Sequence, residues 1–263
     1  MDSERRGAGL RRGTQGCSET LRFAEECGEA GSAVMQTYPC SMAKTFLIAG
    51  ATGLVGSEVM QQALAVPNVE RVVVLVRRGT GLSHPKLVEW ISGDDDLLSG
   101  LKGEHVDAVI CCLGTTIRAV GGDQRKFIHV DKDLVFGLGQ WAKAHGVGSF
   151  AVVSAMGADA ASRIFYSRVK GEMEAGLRSI GLPRLAIFQP SILTGGRKEF
   201  RLGERIGIGV MSVLAPLMRG KLSDYRPMHS VVLAKAMISA SLDEERTGVR
   251  VLRYREIVAL ARS

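Results

Sequence analysis

Cysteine is scarce and poorly placed for metal or disulfide chemistry. Cys17, Cys27, Cys40, Cys111 and Cys112 include no CxxC pair and are odd in number. A reducing, cytoplasmic setting without structural disulfides is the simplest expectation. The five histidines, His84, His105, His129, His145 and His229, have no ligand-like spacing, so no metal site is expected. Long apolar runs are missing too, and none approaches the roughly 20 residues that span a bilayer. The longest candidate, residues 206–217, is interrupted by Gly207, Gly209 and Pro216 and reads as a buried or interfacial helix. Basic runs are also absent. Lys and Arg number 34 against 27 Asp and Glu, but they are spread along the chain, which fits a phosphate-bearing ligand better than nucleic acid.

What is present divides into two parts. Residues 1–42 hold five Arg against six acids and have no sustained apolar period. They lack the apolar segment of a secretory signal, and their acids argue against a mitochondrial presequence. They read as a disordered extension, with Met35 and Met42 as alternative starts just ahead of the first strand. Residues 43–263 read as one domain. Continuous apolar runs at 45–49, 72–76, 87–91, 108–113, 150–153 and 185–188 predict strands buried on both faces. Helical periods at 54–65, 124–145, 164–180 and 228–242 separate or follow them, and a strand at about 250–253 and a short helix close the chain. Strands alternating with helices of this length give an α/β fold, a Rossmann-type doubly wound parallel sheet. Residues from about 195 onward are expected to add a small C-terminal substrate lobe.

The first strand runs into Gly50-Ala51-Thr52-Gly53-Leu54-Val55-Gly56 and then a helix. This is the phosphate-cradling arrangement. Gly50 permits the tight turn, Gly53 lets backbone approach a pyrophosphate, and Gly56 lets helix and strand pack closely, with the helix N-terminus aimed at the anion. The second strand ends at Arg77-Arg78, where an NAD-selective site would place an acid for the ribose 2′-OH. A guanidinium there suits a 2′-phosphate, so NADP(H) is the expected cofactor, with Arg77 as its reader. Leu113, Gly114 and Thr115, at the end of the fourth strand, are expected against the adenosine or ribose. The adjacent Cys111 and Cys112 point to opposite faces and read as small core residues.

Tyr166 and Lys170 lie four apart on a predicted helix and share a face. A phenol with a pKa of roughly 10 is a poor acid or base at neutrality unless a neighbouring cation favours its phenolate. Ser154 ends the fifth strand and is placed to hydrogen-bond a substrate oxygen. Ser154, Tyr166 and Lys170 are therefore the candidate catalytic set. Asp94, Asp95 and Asp96 read as a solvated turn, Glu172 and Glu174 as the wet face of the Lys170 helix, and His229 as a candidate pocket residue.

With these residues in place the chain resembles the extended or atypical short-chain dehydrogenase/reductases. It is similar in particular to the Tat-interacting-protein-like oxidoreductases. GATGLVG, CCLGTT (111–116), VDKD (130–133), SAMGADA (154–160), YSRVKGEMEA (166–175) and FQPSILTG (188–195) carry the likeness over about residues 44–250. The resemblance implies NADP(H) binding and active-site positions at Ser154, Tyr166 and Lys170. It also implies that Gln189, Pro190, Ser191 and Leu193 lie by the nicotinamide. Many such relatives use an Asn before the Tyr helix to relay protons; here residues 129–133 offer only Asp131 and Asp133. The expected function is reduction of a small carbonyl substrate by hydride transfer. The alternatives are an NADPH-binding redox sensor with little turnover, or a sugar-nucleotide epimerase or dehydratase. Fold-level analogy adds a homodimer as the expected assembly.

Overall fold

A computed structural model describes residues 43–93, 96–195 and 226–263. Its centre is a seven-stranded sheet in which every neighbouring pair is parallel. The strands are β1 (Lys44–Ala49), β2 (Val69–Val76), β3 (Leu87–Ile91), β4 (Ala108–Cys111), β5 (Ser149–Val153), β6 (Arg184–Phe188) and, from the end of the chain, β9 (Gly248–Leu252). Their order is β3-β2-β1-β4-β5-β6-β9, so the chain reverses its direction of travel between β1 and β4. In doubly wound sheets a ligand sits beyond the strand ends at that switch point. A separate two-stranded ladder pairs β7 (Leu193–Thr194) with β8 (Met228–His229).

Alternation along each strand feeds two cores. Phe46, Ile48, Val72, Val74 and Ile110 face α1 (Leu54–Ala65), α5 (Ser230–Leu242) and Ile257 of α6 (Tyr254–Leu260). Leu47, Val73, Leu75, Val109 and Val152 face the opposite way, toward α3 (Leu134–Ala144) and α4 (Phe165–Ser179). All these strand residues are buried. At about 1.5–3 kcal/mol for each fully buried aliphatic side chain, both faces are strongly fixed, which is why the runs show no polar alternation.

The expected helix at 124–145 is not continuous. It consists of α2 (Gln124–Ile128), one π-helical turn (His129–Asp133) and α3. The wider turn leaves Asp131 pointing inward, only 1% exposed. The strand expected to end at Leu113 ends at Cys111, freeing Cys112–Thr115 to form a cavity wall. Residues 226–263 do not stand apart from the sheet: α5 packs on α1 and β9 extends the sheet beyond β6. The rest of the expected lobe, 196–225, lies outside the described residues, as do the extension 1–42 and Asp94 and Asp95. Asp96 caps the 3-10 turn at Leu97–Gly100 by accepting from the Leu98 N–H.

Candidate active site

The glycine loop is built as its spacing implies. Gly50 takes φ 82°, a conformation a side chain would resist, and a Cβ there would lie 2.7 Å from the Cys112 carbonyl. A Cβ on Gly56 would lie 2.0 Å from Gly50 O, so α1 reaches the loop only because that position is bare. The N-cap of α1 is Gly53, and no side chain caps its first turn. Its leading N–H groups and positive dipole end are therefore left facing the space above the sheet. Thr52 is exposed beside them.

That space is a cavity of about 640 Å³ at the switch point. Gly53, Leu54 and Val55 form one wall, and Leu113, Gly114 and Thr115 a second. Ser154, Tyr166 and Lys170 lie on the third, and Pro190, Ser191 and Leu193 on the fourth. Residues from five segments of the chain named in the sequence analysis thus line one cavity, and Asp131 adds a sixth. Gln189 is not among the lining residues; it lies behind the wall, donating through Nε2 to Glu174 at 2.8 Å. Ser191 donates to the Arg226 carbonyl. Arg77 is exposed at the end of β2.

Local packing fixes the reactive groups. Gly171 brings α4 against the loop after β5, since a Cβ there would meet Ala160 N at 2.1 Å. Asp159 N–H also donates to Ser167 O at 3.0 Å. The Tyr166 ring leans on Phe127, with centroids 5.9 Å apart. Tyr166 is 42% exposed; partial burial pushes its phenol above its ordinary range, the Lys170 charge pulls it down, and Asp131 pushes it up again. Lys170 Nζ lies 2.7 Å from Asp131 Oδ1 with both side chains buried, and Asp131 Oδ2 accepts the Thr115 N–H at 2.8 Å.

Glu174 corrects an expectation. It is not on the wet face but 2% exposed, accepting from Ser154 Oγ at 2.5 Å and from Gln189 through one oxygen. Its other oxygen accepts from Arg178 at 2.9 Å. Glu172, by contrast, is a surface residue paired with Lys132 at 3.0 Å. Tyr166, Lys170 and Glu174 are four apart in turn, so the spacing that paired the first two also pointed to the third. A serine hydroxyl has one proton. With that proton on Glu174, Ser154 presents lone pairs to the cavity. His229 is an N-cap for α5, its ring accepting from the Val231 N–H at 3.3 Å.

Cys111 is fully buried, and that burial raises its thiol to about 11. Cys112 is half-buried at the cavity wall, its thiol also raised by burial. Both are held as thiols at neutral pH. Among the described residues no group of three or more His, Cys, Asp or Glu is placed to hold a metal ion. No helix among them is long and apolar enough to cross a membrane.

A family model described as NAD(P)H-binding matches residues 50–199. Protein fmp52, mitochondrial, of Emericella nidulans is 31% identical over 209 residues, covering 76% of this chain and 88% of its own. Protein HTATIP2 of Rattus norvegicus is 33% identical over 168 residues, 61% of this chain and 67% of its own. Among solved structures, MoeE5 in complex with UDP-glucose and NAD superposes with a TM-score of 0.57 at 16% identity, over 82% of this chain and 80% of its own. At that identity the likeness is one of fold. The expected cytoplasmic location does not stand: several relatives carry the word mitochondrial in their names, which points away from a purely cytoplasmic protein.

Proposed function

This chain belongs to the NAD(P)H-binding family, within the extended short-chain-dehydrogenase-like Rossmann proteins, and we propose that it is an NADP(H)-dependent reductase of a small carbonyl compound. The observation that carries the reading is the meeting of Ser154, Tyr166 and Lys170 in one cavity with the uncapped start of α1. The residues fit a dinucleotide. Unsatisfied N–H groups behind a side-chain-free cradle suit a pyrophosphate. Lys170 has three N–H donors and gives one to Asp131, leaving two for ribose hydroxyls. At the adenosine end Arg77 is exposed, and one oxygen of the Glu89 carboxylate is engaged by the Thr80 N–H at 2.8 Å. That balance favours a 2′-phosphate over a bare 2′-OH.

A bound reduced nicotinamide supplies the hydride that the carbonyl carbon receives. Tyr166 supplies the proton to the carbonyl oxygen, so that C=O becomes C–H and O–H, and Tyr166 is then reprotonated from solvent. Burial favours this direction, because a phenol held above its ordinary range stays protonated and able to donate at neutral pH. Ser154, with its proton on Glu174, accepts from the hydroxyl of the alcohol form and so holds the oxygen at Tyr166. Lys170 holds the ribose and tempers the phenol. Tyr166→Phe is expected to lower NADPH-dependent carbonyl reduction by at least about a hundredfold with cofactor affinity nearly unchanged; equal turnover by the variant would refute the assignment.

A second reading follows from the fold shared with a protein solved with UDP-glucose and NAD. An epimerase returns the hydride to the same substrate, so it would turn over with no net NADPH consumption.

A further inference from the structure

Lys170 and Asp131 form an ion pair that is almost completely out of water, at 4% and 1% side-chain exposure. An ammonium in that position is costly unless a carboxylate meets it, and a carboxylate needs its remaining lone pairs occupied. Asp131 satisfies both demands. One oxygen takes Lys170 and the other takes the backbone N–H of Thr115, tying α4 to the cavity wall that follows β4. The π-helical turn at His129–Asp133 swings it into place, and such turns concentrate at functional sites. Gly114 lets the wall lie close against the pair: a Cβ there would stand 3.4 Å from Asp131 Oδ1 and 3.8 Å from Lys170 Nζ, and all three residues line the cavity.

We propose that Asp131 is a positioning residue for cofactor binding: it keeps Lys170 charged and fixed against the Leu113–Thr115 wall, so that the ribose hydroxyls of a nicotinamide dinucleotide meet an ammonium already in place. The proposal rests on the nicotinamide reading of the cavity but not on turnover. Without Asp131, Lys170 loses the carboxylate that meets its ammonium. The groups facing it are Tyr166 and Glu174 on its own helix and Cys111 on β4. Tyr166 and Cys111 are neutral at working pH. Glu174 is engaged by Ser154, Gln189 and Arg178. The Lys132–Glu172 pair lies outside, at the surface.

The test is fluorescence titration of the full chain with NADPH and, separately, NADH, from about pH 4.5 to about pH 9.5, limits that bracket the value of about 5–6 to which burial can lower a lysine. Wild type and Asp131→Asn are compared as a ratio of Kd values at each pH, which cancels ionisation of the 2′-phosphate itself. The ratio is expected to be near one at the acid end and to climb to about tenfold or more at the alkaline end, as one pH unit above a pKa removes about nine-tenths of the charged form. Lys170→Met should lose the same affinity at every pH. The double variant Asp131→Asn with Lys170→Arg should give a flat ratio, because a guanidinium keeps its charge. A ratio for Asp131→Asn that does not vary with pH, whether offset or not, would overturn the proposal in favour of a structural role, and so would absence of binding by wild type. Should Asp131→Asn not fold, Asp131→Ser is read in the same way. Normal binding behaviour with no carbonyl turnover would leave Asp131 assigned and remove the reductase instead.

Discussion

Replacing Glu174 by alanine removes the acceptor for three donors at once, and the structure sets what that costs. Ser154 and Gln189 are 4% and 7% exposed, so each has little access to water once the carboxylate is gone. Each orphaned polar group costs about 1–3 kcal/mol, and the space vacated by the side chain adds to it. Arg178 is 40% exposed and contributes little after screening. The expected loss is about 3–5 kcal/mol, on the order of 10 °C in Tm for a domain of this size. Glu172→Ala, two residues earlier, removes only part-exposed pairs with Lys132 and Arg168 and is expected to cost less than about 1 kcal/mol. Urea unfolding of both variants at neutral pH gives the comparison. Ser154→Ala added to Glu174→Ala should recover part of the loss by removing one orphan. Similar midpoints for Glu174→Ala and Glu172→Ala would refute the reading of Glu174 as the buried anchor of Ser154.

Other consequences are as direct. Arg77→Ala should weaken NADPH by about tenfold or more, the scale of a charge-assisted contact of about 1.5–3 kcal/mol, while leaving NADH nearly untouched; equal loss for both would sink the 2′-phosphate assignment. Carbonyl reduction needs the protonated phenol, whose pKa is raised. Its rate should therefore hold through neutrality and fall only beyond the ordinary phenol range, while alcohol oxidation, which needs the phenolate, should rise over the same range. A reduction limb that falls near neutrality and survives Asp131→Asn unchanged would assign the proton to a group other than Tyr166.

The parts of this molecule legible in its sequence are those decided by local chemistry. Val72–Val76 reads as a doubly buried strand because each of its residues faces one of two apolar layers. Gly50, Gly53 and Gly56 read as a cradle because backbone alone occupies the space a Cβ would need. Tyr166 and Lys170 share a helix face by period. The same period reaches Glu174, whose charge reads as a wet face although its spacing points to the buried one. In the sequence Asp131 stands out only as an acid where relatives place an asparagine. Its role depends on a π turn and on the Thr115 N–H, partners 16 residues apart that no local pattern brings together. Location was illegible for a different reason: the acids of residues 1–42 spoke against one kind of targeting segment, and the relatives' names point away from a purely cytoplasmic protein.

The most direct measurement is titration of the purified protein with NADPH and NADH, alongside Gly56→Ala. Saturable binding with NADPH preferred, lost by about tenfold or more when the Cβ of Gly56→Ala presses on Gly50 O and drives α1 away from the anion, is the predicted result. Failure of wild type to bind either dinucleotide, or binding that Gly56→Ala leaves unchanged, would contradict the account.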